Sequence, residues 1–235
     1  FDITLEAVRI ALKFMTPVLI LSDGYIGQAS EPWRIPALNN LPDIQAYFAT
    51  DANTFAPYQR DQHTLRRQWA VPGFERMEHR IGGLEKEDVS GNVSSDSLNH
   101  EKMVNIRQEK IDRIANDIPE ATVEGEQQGD VLLLSWGSTY GAAKTAFERL
   151  HAKGVPLSFL HLRYLNPFPV NLGEILNRFK RVVVPELNAG QLQFLLQGKY
   201  LKPVIGIHKV QGKPFKTAEI EDKIEQLLDT ELAPL

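Results

Sequence analysis

Residues 130–154 read DVLLLSWGSTYGAAKTAFERLHAKG, and this stretch decides the fold. Residues 131–136, Val-Leu-Leu-Leu-Ser-Trp, read as an apolar strand. Residues 137–141, Gly-Ser-Thr-Tyr-Gly, form a turn. Ala143, Ala146, Phe147 and Leu150 then recur at helical spacing and make one apolar face. Gly154 stands just past the last periodic residue, where a helix commonly ends in a left-handed glycine. An apolar strand that leads through a tight turn into an amphipathic helix is one unit of a parallel α/β sheet. The alternation continues downstream. Residues 157–162 predict a second strand, Asn166-Pro-Phe-Pro169 a loop, and Asn171 the cap of a short helix ending near Phe179. Strands are predicted over 181–185 and 204–208, with a helix over 190–200 between them. A closing helix over 218–228 turns Ile220, Ile224, Leu227 and Leu228 inward. Residues 130–235 are therefore expected to form one α/β domain, a mostly parallel sheet with helices on its faces.

Upstream of residue 130 the periodicity weakens. Residues 99–116 predict a helix with a weak stripe at Met103, Ile106, Lys110 and Arg113/Ile114, Asn99 as its cap and Pro119 as its stop. Gly82-Gly83 and Gly91-Asn92 are turn signals. Residues 31–75 are rich in proline and aromatics, among them Trp33, Pro36, Tyr58, Trp69 and Phe74, and read as an ordered extended loop. A disordered linker is the weaker reading, because disorder is usually poor in aromatics. Residues 31–129 together read as a connector. In residues 1–30, Leu5, Val8, Leu12 and Met15 give a helix with one apolar face, and Pro17 stops it. Residues 17–22, Pro-Val-Leu-Ile-Leu-Ser, then predict a buried parallel strand ended by Asp23-Gly24. One helix and one strand cannot close a core, so residues 1–30 are expected to be the end of an α/β domain that begins upstream of Phe1.

Composition narrows the function classes. The 235 residues carry a net charge of −4 with a pI near 5.9. That argues against nucleic-acid binding, which calls for a basic face, and against a polybasic membrane anchor. Residues 61–129 are the most acidic block, with 9 basic and 14 acidic side chains. There are no cysteines, so this chain offers no disulfide, thiolate nucleophile or thiolate ligand for an iron–sulfur cluster. No apolar stretch approaches the roughly 18 residues of a membrane-spanning helix. No secretion signal opens the chain, and a cytoplasmic location is expected.

Three places merit weighing as sites. Gly137, Ser138 and Thr139 lie between a strand and a helix, where backbone N–H groups can hold an anion. The phosphate-loop ending and the G-x-G-x-x-G pattern are both absent, so a tight turn capped by Ser138 or Thr139 is the favoured reading. Glu186, Asn188 and Gln191 follow a strand at its carboxyl end, where α/β sheets place functional groups. Glu186 reads as a general base or a partner contact, against Asn188 and Gly190 serving only the helix start. Glu85 and Asp88 lie in an acidic loop with His79, Glu78 and Glu87. Their spacing matches no metal motif, and Arg76, Arg80 and Lys86 between them point to solvated ion pairs. No histidine has a nucleophile and an orienting acid near it in sequence, and no G-x-S-x-G is present. Arg107, Lys110 and Arg113 share one helix face.

Several segments taken in order carry a resemblance. They are 17–23 (PVLILSD), 78–88 (EHRIGGLEKED), 91–93 (GNV), 99–101 (NHE), 136–141 (WGSTYG), 165–169 (LNPFP), 185–192 (PELNAGQL) and 209–215 (KVQGKPF). Together they resemble the α subunit of 2-oxoacid:ferredoxin oxidoreductases, most like the 2-oxoglutarate members. E1 β-like subunits of oxoacid dehydrogenases have similar β/α spacing, but segments 82–88 and 209–212 favour the ferredoxin-linked family.

The resemblance implies that residues 1–30 end a thiamine pyrimidine-binding domain. It also implies that 130–235 is a transketolase C-terminal-like domain. The implied reaction converts 2-oxoglutarate, coenzyme A and oxidised ferredoxin to succinyl-CoA, carbon dioxide and reduced ferredoxin. It further implies thiamine diphosphate, Mg2+ and an iron–sulfur cluster in the full complex, none of them held by this chain alone. The implied partners are a β subunit carrying cofactor and cluster, the N-terminal part of the α subunit, and ferredoxin through the complex. No catalytic residue carries over to this chain. Gly137, Ser138, Thr139, Glu186, Asn188, Gln191, Glu85 and Asp88 are expected as interface contacts. The alternatives are a non-catalytic assembly or binding module derived from the same family, and a subunit acting on another 2-oxoacid of pyruvate type.

Overall fold

The structure is a computed structural model that describes residues 1–229. The last six residues of the expected domain 130–235 lie outside the described residues. The chain divides into two compact units. One comprises Phe1–Ile20 and Glu31–Ile118, the other Leu21–Ser30 and the chain from Pro119 onward. The residues expected as a connector, 31–129, are thus shared between the two.

The second unit is built on a five-stranded sheet. Its strands are β1 (Val123–Glu124), β2 (Gly129–Trp136), β3 (Leu157–Leu162), β4 (Phe179–Glu186) and β5 (Ile205–His208). Their order is β1-β3-β2-β4-β5, with β1 antiparallel to β3 and every other pair parallel. The helices are α2 (Gly24–Gln28), α4 (Tyr140–Ala152), α5 (Leu172–Asn177), α6 (Gln191–Tyr200) and α7 (Thr217–Asp229), while α1 and α3 belong to the first unit. Period-two alternation along the strands sorts their side chains onto two faces. Val131, Leu133 and Phe159 pack with Ala143, Ala146, Phe147 and Leu150 of α4 and Ile220 and Ile224 of α7. Leu132, Leu134, Val182 and Val184 pack with Leu172, Ile175 and Leu176 of α5 and Leu192 and Leu196 of α6. The central strands are buried on both faces, which is why they read as continuous apolar runs.

The expected strands and helices of residues 130–229 are all present, with Gly154 at φ 82° behind α4. Two details differ. Strand β1 was not expected, because two residues carry no readable periodicity. Asn171 precedes α5, but its side chain does not cap it. Its amide instead pairs with the backbone of Ala121, accepting from the N–H at 2.9 Å and donating to the carbonyl at 2.8 Å.

In the first unit, α1 (Asp2–Phe14) and α3 (Ser97–Arg113) are joined by irregular chain with isolated bridges at Phe48–Trp69, Tyr58–Val89, Arg60–Arg67 and Lys86–Val93. A 3-10 turn, Ile114–Asn116, continues α3. The expected helix 1–15 is present, but Ile10 and Phe14 are its buried residues, while Val8 is 41% exposed. Its polar flank fixes this choice, since Arg9 and Lys13 both pair with Asp117. Residues 17–22 form no strand. Leu19 is 87% and Leu21 65% exposed, and a strand exists only where a neighbour supplies hydrogen bonds. Asn99 does not cap α3. Asp96 does, accepting from the Asn99 N–H at 2.7 Å. The Asn99 amide instead receives Asp88 N at 3.1 Å and donates to Lys86 O at 3.0 Å. No helix among the described residues is long and apolar enough to cross a membrane.

Candidate functional site

Strands β2 and β4 are neighbours and parallel, so their carboxyl ends meet at one edge of the sheet. In sheets of this kind ligands and partners are commonly met at that edge. At the end of β2, Gly137 takes φ 56°, a left-handed conformation that glycine adopts without strain. The Thr139 hydroxyl donates to Trp136 O at 2.7 Å and accepts from Trp136 N at 3.2 Å, closing the turn into α4. Thr139 is buried, Ser138 partly buried and Gly137 exposed. The Ser138 hydroxyl donates to the Asp23 carboxylate. The other Asp23 oxygen caps α2 by accepting from Ile26 N at 3.0 Å. Ser138 is thus the residue that ties this turn to residues 21–30.

At the end of β4, Glu186 is fully buried. Its two oxygens accept from Leu192 N at 2.8 Å and Gln193 N at 2.9 Å, in the first turn of α6. Asn188 Oδ1 accepts from Gly190 N at 2.8 Å and Gln191 N at 3.0 Å. Two side chains therefore satisfy four of the N–H groups that open α6, and the negative charge faces the positive end of the helix dipole. Asn188 serves the helix start, as the alternative reading of this segment has it, and Glu186, read from sequence as a base or partner contact, serves it too. Gln191 keeps an exposed side chain. His208, at the end of β5, lies against Gly190 and Gly206. A Cβ on Gly206 would fall 2.1 Å from His208 Nε2, so any side chain there would require the exposed His208 ring to move.

The same edge holds a pair that sequence reasoning missed. Ser135 and His161 are register partners on β2 and β3, and Ser135 Oγ lies 2.8 Å from His161 Nδ1. The Tyr140 ring meets the imidazole edge-on at 4.8 Å. Burial, and then Arg163, push His161 down to about 4, so the ring is neutral at pH 7. The signal was present as odd positions 131, 133, 135 and 157, 159, 161 sharing a face. It becomes readable only once the register is known.

In the first unit, Glu85 and Asp88 lie on the loop before α3. Arg107 donates from Nη1 to Glu85 Oε1 at 3.0 Å and from Nη2 to Oε2 at 3.1 Å, and His100 Nδ1 lies 2.9 Å from the same Oε2. Arg107 above all holds Glu85 at about 2, far below the usual carboxylate range. Asp88 pairs with Lys102 at 2.8 Å. Lys86 between them is 3% exposed, and its ammonium donates to Gly82 O at 2.9 Å and Leu84 O at 2.5 Å. Glu85 and Asp88 thus pair not with Arg76, Arg80 or Lys86 but with solvent-exposed Arg107, His100 and Lys102 of α3, which hold the loop onto that helix. Among the described residues no three His, Asp or Glu side chains gather to hold a metal ion.

Two family models match the chain. One, described as pyruvate flavodoxin/ferredoxin oxidoreductase, thiamine diphosphate-binding, covers residues 1–97. The other, pyruvate:ferredoxin oxidoreductase core domain II, covers residues 129–220. The chain is 49% identical over 237 residues to a 2-oxoglutarate oxidoreductase subunit KorA of Mycobacterium tuberculosis, covering 100% of this chain and 36% of that protein. It is 31% identical over 196 residues to a 2-oxoglutarate synthase subunit KorA of Archaeoglobus fulgidus, covering 82% of this chain and 48% of that one. A solved 2-oxoglutarate:ferredoxin oxidoreductase from Magnetococcus marinus, with 2-oxoglutarate, coenzyme A and succinyl-CoA bound, superposes with a TM-score of 0.88. The sequence identity there is 26%, over 96% of this chain and 40% of that chain. The parallel strands β2 to β5 all lie within the second model, and the class these matches share is that of thiamine-dependent oxidoreductases. The chain belongs to the 2-oxoacid:ferredoxin oxidoreductase family and is similar to its 2-oxoglutarate α subunits. It spans 36–48% of the length of these relatives.

Proposed function

We propose that the chain is part of the α subunit of a thiamine-diphosphate-dependent 2-oxoglutarate:ferredoxin oxidoreductase, and that this portion serves as scaffold and subunit interface. The observation that carries the reading is 49% identity along its whole length to a 2-oxoglutarate oxidoreductase subunit. In this reading 2-oxoglutarate, coenzyme A and two oxidised ferredoxins give succinyl-CoA, carbon dioxide, two reduced ferredoxins and a proton. Residues 1–30 end the pyrimidine-binding domain, 31–129 connect, and 130–235 form the transketolase C-terminal-like domain. Thiamine diphosphate, when bound, supplies the electron sink for decarboxylation. The chain's own residues do not fit the metal groups: it has no cysteine, and its described acids and histidines form no ligand cluster. In this reading, following the family resemblance, cluster and Mg2+ belong to a β subunit, with ferredoxin docking on the complex and the whole in the cytoplasm. The segments that hold Gly137, Ser138 and Thr139, and Glu186, Asn188 and Gln191, are assigned to contact with neighbouring subunits, with buried Thr139 and Glu186 shaping the backbone and Gly137 and Gln191 exposed, and so is the loop of Glu85 and Asp88. In support, Gln191 is exposed, and Phe194 and Leu195, one turn further along α6, are 75% and 50% exposed apolar side chains.

The test is purification through this chain from cells that hold the whole complex. The expected result is a cysteine-containing partner, about four irons per pair, and dye reduction that needs both 2-oxoglutarate and coenzyme A. A folded, iron-free species without partner would overturn the reading. Faster turnover of pyruvate would move it to another 2-oxoacid.

A further inference from the structure

The first unit holds three neighbouring cations, none of them in an ion pair among the described residues. Arg60 and Arg67 face each other in an antiparallel bridge, closed by Asp61 N to Arg66 O and Leu65 N to Asp61 O, both at 2.9 Å. Residues opposed in this way project to one side, and like charges placed so repel. Arg60 Nη1 donates to Leu65 O at 3.0 Å and Arg67 Nη1 to Pro57 O at 3.2 Å. Arg60 Nε is buried without a partner, and the Arg67 guanidinium lies 4.2 Å from the Tyr58 ring centre.

Lys110 joins them from α3, partly buried, its ammonium donating to Met15 O at 2.9 Å. All three thus meet neutral carbonyls, and none forms an ion pair among the described residues. The nearby acids are engaged elsewhere, Glu85 with Arg107 and Asp88 with Lys102. Burial, and then Arg60, Arg67 and Arg107, push Lys110 down to about 8. Burial, and then Arg67, lower Arg60 as well, against a smaller opposing pull from Asp88. Partly buried like charges are costly unless a counter-charge is supplied, and perturbed groups that converge mark candidate sites.

We propose that Arg60, Arg67 and Lys110 form a binding site for a doubly charged phosphate group. Guanidinium forks match phosphate oxygens in pairs, and a lysine adds a point charge. The free N–H groups of the two arginines, Arg60 Nε among them, are the donors left for it. The site belongs to this chain's own residues and does not rest on the reaction proposed above.

The test titrates inorganic phosphate into the full chain and follows the thermal midpoint and the phosphorus NMR line width. Sodium chloride and succinate at matched ionic strength are the controls. A saturable response to phosphate, larger than to either control, is expected. Lys110→Met keeps the stem, removes one charge and should raise the phosphate dissociation constant about tenfold or more. Arg67→Gln should do the same if Lys110→Met does not fold, and the comparison of anions on the unaltered chain decides without either variant. Equal responses to phosphate and chloride would overturn the proposal. So would succinate binding as tightly as phosphate, or unchanged phosphate binding in the variants.

Discussion

His161 shows how one side chain couples the sheet to pH. Its imidazole is enclosed by Ser135 and Tyr140 at the carboxyl ends of β2 and β3, with Arg163 nearby disfavouring a second positive charge. The folded chain therefore holds this ring neutral down to about pH 4, whereas an unfolded chain protonates it near 6.5. Between those values the unfolded state binds the extra proton, so stability falls as pH drops from about 6.5 to about 4. Above 6.5 the ring is neutral in both states and the contribution is flat. Glu85 acts in a different window. Its pKa is depressed from 4.5 to about 2, so the stability it contributes is present above about 4.5 and is lost on further acidification. The two can be separated by substitution. His161→Gln keeps a hydrogen-bonding partner for Ser135 but cannot titrate. Urea midpoints at pH 5 and pH 7 should therefore lie closer together in the variant than in the unaltered chain. An unchanged gap would show that other groups set the acid sensitivity.

The elements depend on caps drawn from beyond their own termini, and α6 is the clearest case. Its first turn is held by Glu186 from β4 and by Asn188 from the connecting loop, four backbone N–H groups in all. A charged acceptor is worth more than a neutral one, and removing it leaves buried donors unsatisfied. Glu186→Ala should therefore cost about 2 kcal/mol in urea unfolding, with Glu186→Gln losing less because one acceptor oxygen remains. A loss indistinguishable from that of an exposed residue would remove the cap from the account.

How legible these elements were follows from the same physics. Strands β2 to β5 and helices α4, α6 and α7 carry their periodicity locally, so 130–154 alone announced the unit. Residues 17–22 carry the same apolar signal but have no strand beside them, and pairing decides a strand. The amides of Asn99 and Asn171 look like caps in sequence. Each bonds instead to backbone 11–50 residues away, and nothing local encodes that. Glu186 was visible as a polar group at a strand end, and only the geometry shows its carboxylate turned inward to α6.

For the whole molecule, the question is whether the sheet edge works as an interface or only as a well-capped end. The two roles can be separated because they fall on different side chains of one short segment. Glu186 is buried and Asn188 is engaged through its amide oxygen, so changing either disturbs the fold before it disturbs any contact. Gln191 is exposed, and it is its backbone N–H, not its side chain, that Asn188 receives. Gln191→Arg therefore leaves the cap intact and adds bulk and charge only to the surface, so the unfolding free energy should shift by no more than about 1 kcal/mol, the cost of an exposed cation at a helix N-terminus. If the edge is covered in the assembled oxidoreductase, the same change places a guanidinium in a contact built for a neutral amide, where an unpaired charge is costly. Less partner subunit should then copurify with the variant, and 2-oxoglutarate-dependent dye reduction per chain should fall in proportion. Full recovery of partner and activity would take Gln191 out of the interface. A fall in recovery together with a lowered midpoint would mean that the substitution had acted on the fold, and Glu186→Ala supplies the reference for how large that effect is.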